Sequence, residues 1–218
     1  MTDDCKAGIA LIVGSLGGIL TMAIHPKGAL SLTTAEQGAH MSLVSGVAHT
    51  LALLSVLLLF LGACGITQRL RAADRISFAA IVVYGFACVA VMIAGAVSGF
   101  IVPGIMRHMV RDVPAARHDW QVVIVGIFQI NQAFSKIFSV GTSIAIILWC
   151  VSALRGGGIV RGVAIYGCVV APLIILGIGI GHLRLDVHGM TVVMLGHVLW
   201  YILVGCQLCL RPQGRCEA

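Results

Sequence analysis

The sequence predicts an all-α integral membrane protein, a six-transmembrane-helix bundle with both termini cytoplasmic, and three observations carry that prediction. Mean hydropathy is +1.05 over the 218 residues. Hydrophobic residues make up 59% of the chain and charged residues only 10%, where soluble domains carry about 25% charged. The apolar residues fall into long runs with short polar breaks, and a membrane-spanning helix needs about 20 of them in a row. A single transmembrane domain over residues 1–218 then accounts for the chain. No room is left for a nucleotide- or nucleic-acid-binding module, and the net charge of +6 reads as an orientation signal in the bilayer.

The six runs cover residues 7–24, 41–66, 76–104, 120–154, 162–181 and 189–210. The first follows the acidic MTDDCK and no small-residue cleavage site, so it reads as a span and not as a signal peptide. HPKGALSLTTAEQGAH, TQRLRAADR, MRHMVRDVPAARHDW, RGGGIVR and HLRLDVH separate the runs, each too short to fold alone. Small residues such as Gly95, Ser98 and Gly99 in the third span allow close backbone approach. Pro172 should kink the fifth.

Basic residues set the orientation. Lys6, Arg69, Arg71, Arg75, Arg155, Arg161, Arg211 and Arg215 fall on one side, and Lys27, Arg107, Arg111, Arg117 and Arg184 on the other. The richer side should be cytoplasmic, in the bacterial inner membrane. Cysteines agree, because free thiols persist in reducing compartments. Cys5, Cys64, Cys150, Cys206, Cys209 and Cys216 share that side, and none lies in an outer loop. Cys206-x-x-Cys209 has no second pair to complete a zinc site and reads as packing thiols.

All eight histidines then fall toward the outer side. His25, His40, His108, His118, His182 and His188 sit at helix ends or in loops, whereas His49 and His197 lie inside the second and sixth spans. Both are roughly 10–12 Å below their helix starts at ~1.5 Å per residue. Asn131 and Gln132 of the fourth span lie near the same level. Polar groups in hydrocarbon must face each other, water or a ligand. Interhelical hydrogen bonding, a metal or haem site, and a substrate cavity all satisfy that requirement. His49 and His197 could hold haem b between facing helices, or serve as two legs of a Cu or Zn site completed by His25, His182 or His188. Asp186, in the connection between the last two spans, could pair with Arg184, orient His182 or His188, or be one charge of a solvated loop at the headgroups.

Lys136 is the most unusual residue of the fourth span. Gln132, Lys136, Ser139 and Ser143 recur at helical spacing, a stripe expected to face the interior. With no carboxylate near mid-membrane, Lys136 should meet water, a polar neighbour or an anionic ligand group. The expected site therefore comprises His49, His197, Lys136, Asn131 and Gln132.

Two readings of function lead. One is a haem- or metal-binding redox protein exchanging electrons with a membrane quinone or a periplasmic partner. The other is a transporter or channel whose polar intramembrane cavity takes a small molecule or lipid. A metal-dependent membrane hydrolase is a third, and it lacks a carboxylate base inside the bundle.

Overall fold

The computed structural model describes residues 1–25, 35–70, 74–111 and 114–210; the side chains of residues 35 and 109–118 lie outside that description. Lys27, Arg71, Arg211, Arg215 and Cys216, used above for orientation, and the side chains of Arg111, Arg117 and His118 therefore lie outside it. The described chain is helical with short connections and contains no strand.

Six spans are long and apolar enough to cross a membrane. Helix α1 runs Asp3–Ile24, capped by the Thr2 hydroxyl on the Cys5 N–H. Helix α2 runs Ala35–Arg69. The third span is composite: α3 (Arg75–Ala96), a π-helical turn (Val97–Ile101) and α4 (Val102–Arg111). Helix α5 runs Pro114–Gly156, α6 Arg161–Gly179 and α7 Val187–Leu210. Each span packs on its neighbours in chain order, and α7 closes onto α1, so the six form a ring.

The closure depends on glycine. A Cβ on Gly8 would lie 2.5 Å from the Gly205 carbonyl oxygen, and one on Gly205 would lie 2.8 Å from the Gly8 carbonyl oxygen. Only bare backbone permits so close a crossing.

At what we call the lower end, where α1 begins and α7 finishes, the helices are in register. Arg69 pairs with Asp4 at 2.7 Å and donates to the Gly158 carbonyl at 3.2 Å. Gln207 also donates to Gly158 and accepts from the Val160 N–H. Asp74 caps α3 through the Ile76 N–H and accepts from Ser152.

Because the lower ends coincide, unequal lengths appear at the upper end. Helices α1, α6 and α7 have 22, 19 and 24 residues, whereas α2 has 35 and α5 has 43. At ~1.5 Å per residue the first three are roughly a hydrocarbon thickness long. The other two, with the composite third span, rise ~15–35 Å above them. The sequence placed these ends in loops: α2 was expected from 41 and begins at Ala35, and α5 was expected from 120 and begins at Pro114. AEQGAH and PAARHDW are polar, but Ala, Glu, Gln and Arg are good helix formers and Pro114 occupies a first-turn position where proline is favoured.

Aromatic side chains fill the lower half. Trp149 stacks on Trp200 with ring centroids 6.1 Å apart, and Tyr84 meets Trp149 edge-on at 5.6 Å. Tyr201 packs on Trp200 at 5.3 Å, and Trp149 Nε1 donates to Thr67 at 3.0 Å. Gly167 makes room for this packing, since a Cβ there would lie 2.7 Å from Trp200 Nε1.

Candidate functional site

Above the aromatic layer the ring encloses a cavity of about 650 Å³. Its walls come from α2, from the upper part of α3 with the π turn and α4, and from α5; the end of α1, the α6–α7 connection and the start of α7 complete it. Met41, Leu53, Val91, Val102, Met106 and Phe128 make it chiefly apolar. His25, Ser45, His49, Asn131, Gln132, Asp186 and His188 are among its polar groups, and among the described lining residues there is no Lys or Arg.

His49 is the best-defined polar group. It is 6% exposed and lies beside His25, the ring centroids 5.2 Å apart and the planes at 65°. Its Nδ1 lies 2.8 Å from the Ser45 carbonyl oxygen and 3.4 Å from Ser45 Oγ. Ser45 Oγ donates to the Ser98 carbonyl at 3.1 Å. That carbonyl belongs to the π turn, whose wider hydrogen bonding, Val102 N–H to the Val97 carbonyl, loosens the local ladder. Pro103 accounts for the turn, because a proline ring clashes with the carbonyl four residues earlier, here Gly99. Gly99 in turn presses on the histidine: a Cβ there would lie 2.4 Å from His49 Cβ and 2.8 Å from Cγ. The imidazole is thus clamped between its own helix and the π turn.

Asn131 and Gln132 also line the cavity, as expected. Gln132 Nε2 donates to the Leu185 carbonyl at 2.8 Å, tying α5 to the α6–α7 connection. Asn131 Oδ1 is buried without a hydrogen-bond partner. Asp186 caps α7, its Oδ1 accepting from the His188 N–H at 3.0 Å and the Gly189 N–H at 2.9 Å. The Gly189 bond first, then that of His188, holds the Asp186 carboxyl below the usual carboxylate range. The sequence reading offered Asp186 as a partner of Arg184, as the orienter of a histidine ring or as a solvated loop charge; the residue is exposed and its Oδ1 caps backbone.

His197 and Lys136 lie elsewhere. His197 is 2% exposed and sits below the cavity, its Nε2 2.9 Å from Ser143 Oγ and its Nδ1 buried without a partner. It shares no cavity with His49. Lys136 is exposed on the outer side of α5. The inward stripe runs through Ser135, Ser139, Thr142 and Ser143, all buried. Lys136 follows Ser135 by one residue, a rotation of about 100°. It is nineteen residues from Arg155, ~28 Å of axis, so on a helix this long the middle of the apolar run is far from the lower end. His182 is exposed and does not line the cavity, whereas His25 and His188 do. Among the described residues, no group of three or more His, Cys, Asp or Glu side chains converges as a metal ion would require.

Sequence reasoning missed the π turn and the clamp on His49. Gly99 and Pro103, four residues apart in one span, were the available signal.

No family model matches the chain, and neither the curated proteins nor the solved structures compared with it yield a match.

Proposed function

We propose that this multi-pass protein of the bacterial cytoplasmic membrane binds a small amphiphile, taken up from the outer leaflet into the upper cavity. The observation that carries this reading is a large, chiefly apolar space into which one nearly buried and rigidly held imidazole projects. Its volume of about 650 Å³ falls among those of small-molecule sites, which combine apolar walls with a few placed polar groups. With the cytoplasmic surface at Arg69 and Arg155, ~30 Å of hydrocarbon ends near the level of His25, His49 and Lys136. An apolar tail would then lie at leaflet depth, and exposed Lys136 would reach the headgroups. Nile red, a neutral apolar dye, tests the reading. The protein in nanodiscs should bind it saturably, and Met41→Trp, which adds bulk at the cavity wall, should weaken the saturable component. Binding that is non-saturable or indifferent to Met41→Trp would count against it.

The contact of His25 with His49 favours a second reading, a Cu or Zn site. Two imidazoles on one tetrahedral ion with metal–nitrogen bonds of ~2.0 Å place their ring centroids ~5 Å apart, close to the 5.2 Å found. The remaining positions would fall to water, His188 or a ligand, and exchange of electrons with a quinone or periplasmic partner belongs to this reading. Haem b would have only His49 on the cavity side, because His197 is enclosed beneath it. Metal analysis and a search for a Soret band on purified protein decide between the two readings: a stoichiometric ion that His25→Ala abolishes would establish the metal site.

A further inference from the structure

The hydrogen bonds of His49 determine which of its nitrogens carries the proton. A carbonyl oxygen only accepts, so the contact of Nδ1 with the Ser45 carbonyl at 2.8 Å requires a proton on Nδ1. Ser45 Oγ has its own proton on the Ser98 carbonyl, so it too can only accept from Nδ1. In the neutral ring Nε2 is then a bare lone pair, and it has no hydrogen-bond partner among the described residues. The clamp by Gly99 leaves the ring little freedom to turn another edge to the cavity. His197 is arranged in the opposite sense. Ser143 Oγ donates to the Ser139 carbonyl and therefore accepts from Nε2 of His197, whose lone pair at Nδ1 is sealed in the core.

We infer that the group held at His49 is an uncharged hydrogen-bond donor, a hydroxyl on an otherwise apolar molecule. The inference rests on the amphiphile reading and adds the chemistry of the head. An acceptor-only head, such as an ether, presents a lone pair to a lone pair. An anionic head meets the same mismatch at Nε2, in a cavity whose described lining residues include the carboxylate of Asp186 and no Lys or Arg. The Gln132 amide donates to Leu185, and Lys136 lies on the other side of α5. A cationic head would have to shed its hydration among apolar walls. A hydroxyl avoids all three costs.

Four probes of equal chain length test this in nanodiscs, with retention by the protein read against empty discs: 1-dodecanol, dodecyl methyl ether, dodecylammonium and dodecanoate. Dodecanol should be held about five- to tenfold more tightly than the ether, the effect of one buried hydrogen bond. Dodecanoate should do no better than the ether, and dodecylammonium should bind more weakly than the alcohol. His49→Phe should bring alcohol and ether to the same affinity while both still bind. Should that variant fail to fold, ¹⁵N NMR of the wild-type imidazole replaces it: dodecanol should shift the unprotonated Nε2 resonance of His49 and the ether should not. An ether, ammonium or carboxylate bound as tightly as the alcohol overturns the inference, as does an alcohol preference that survives His49→Phe or an Nε2 resonance that dodecanol leaves unmoved. Saturable binding of none of the four would remove the amphiphile reading itself, an outcome distinct from binding without head-group preference.

Discussion

The two halves of the ring use the same six spans and fill their centres in different ways. In the lower half, polar side chains pair across helices: Arg69 with Asp4, Asp74 with Ser152, Trp149 with Thr67 and Gln207 with Gly158. Aromatic rings occupy the space between them. Higher up, hydroxyls such as Thr21, Ser139 and Ser143 bond back to carbonyls of their own helices, and the centre holds the cavity. Among the described residues, cross-helix bonds there include Ser45 to Ser98, Gln132 to Leu185 and Ser143 to His197. The difference teaches that stability and binding space are separated along the bundle axis, the lower half supplying the rigidity against which the upper half stays open.

Substitutions can break that comparison, and the largest effect is expected where the lower half closes. Gly8→Val places atoms where the Gly205 carbonyl oxygen and Cys209 Sγ already lie, 2.5 and 2.8 Å from a Cβ. The ring should fail to close, seen as loss of the monodisperse peak in size-exclusion chromatography. Next comes Trp149→Ala, which empties a fully buried site. It should cost about 3–5 kcal/mol in thermal unfolding. Met41→Ala, on the half-buried cavity wall, should stay near or below about 1 kcal/mol. Equal costs would dissolve the distinction between the halves.

A smaller effect lies in acid. Hydrogen bonds hold the Asp186 carboxyl at the top and the Asp74 carboxyl at the bottom below their ordinary values, the latter chiefly through Ser152 and then the Ile76 N–H. A carboxyl with a depressed folded pKa contributes fully above its unfolded value of about 3.9 and loses that contribution as pH falls through the folded value. Thermal unfolding between pH 6 and 2 should therefore show destabilisation below about pH 4. Asp186→Asn should shed only the part of that slope belonging to the upper end. The smallest effect should be that of Lys136→Met, within about 0.5 kcal/mol of wild type and without change in dye binding, since Lys136 faces away from the cavity. Loss of binding in this variant would return Lys136 to the site.

Much of this architecture was legible in hydropathy, because a span is a composition before it is a conformation. The runs at 7–24 and 189–210 lie within α1 and α7. What hydropathy cannot register is a helix continuing past its apolar run, as Ala35–His40 and Pro114–Asp119 do, since helix propensity and membrane affinity are different properties. Lys136 shows a second limit. Spacings of three and four residues group side chains on a broad face, and one step of about 100° at its edge separates the buried Ser135 from an exposed lysine. His49, Asn131 and Gln132 were recognisable as a polar layer. The partner of His49 across the ring was sought on the sixth span, but the ring brings up the neighbouring first span and with it His25.

Closure of the ring by its first and last helices sets the two ends of the described chain side by side, with Cys209 Sγ 3.5 Å from the Cys5 carbonyl oxygen. Order along the chain and order around the ring are then the same circular series, with no privileged starting point. A permuted chain entering at Arg161, joined from Leu210 to Asp3 and leaving at Gly156 would keep every pair of neighbouring helices and both ends on one face. In the order of the described helices, α1 precedes the others and gains its second neighbour only when α7 follows. During synthesis the Gly8 surface stays uncovered until α7 arrives, and the cavity acquires its final wall only with that helix.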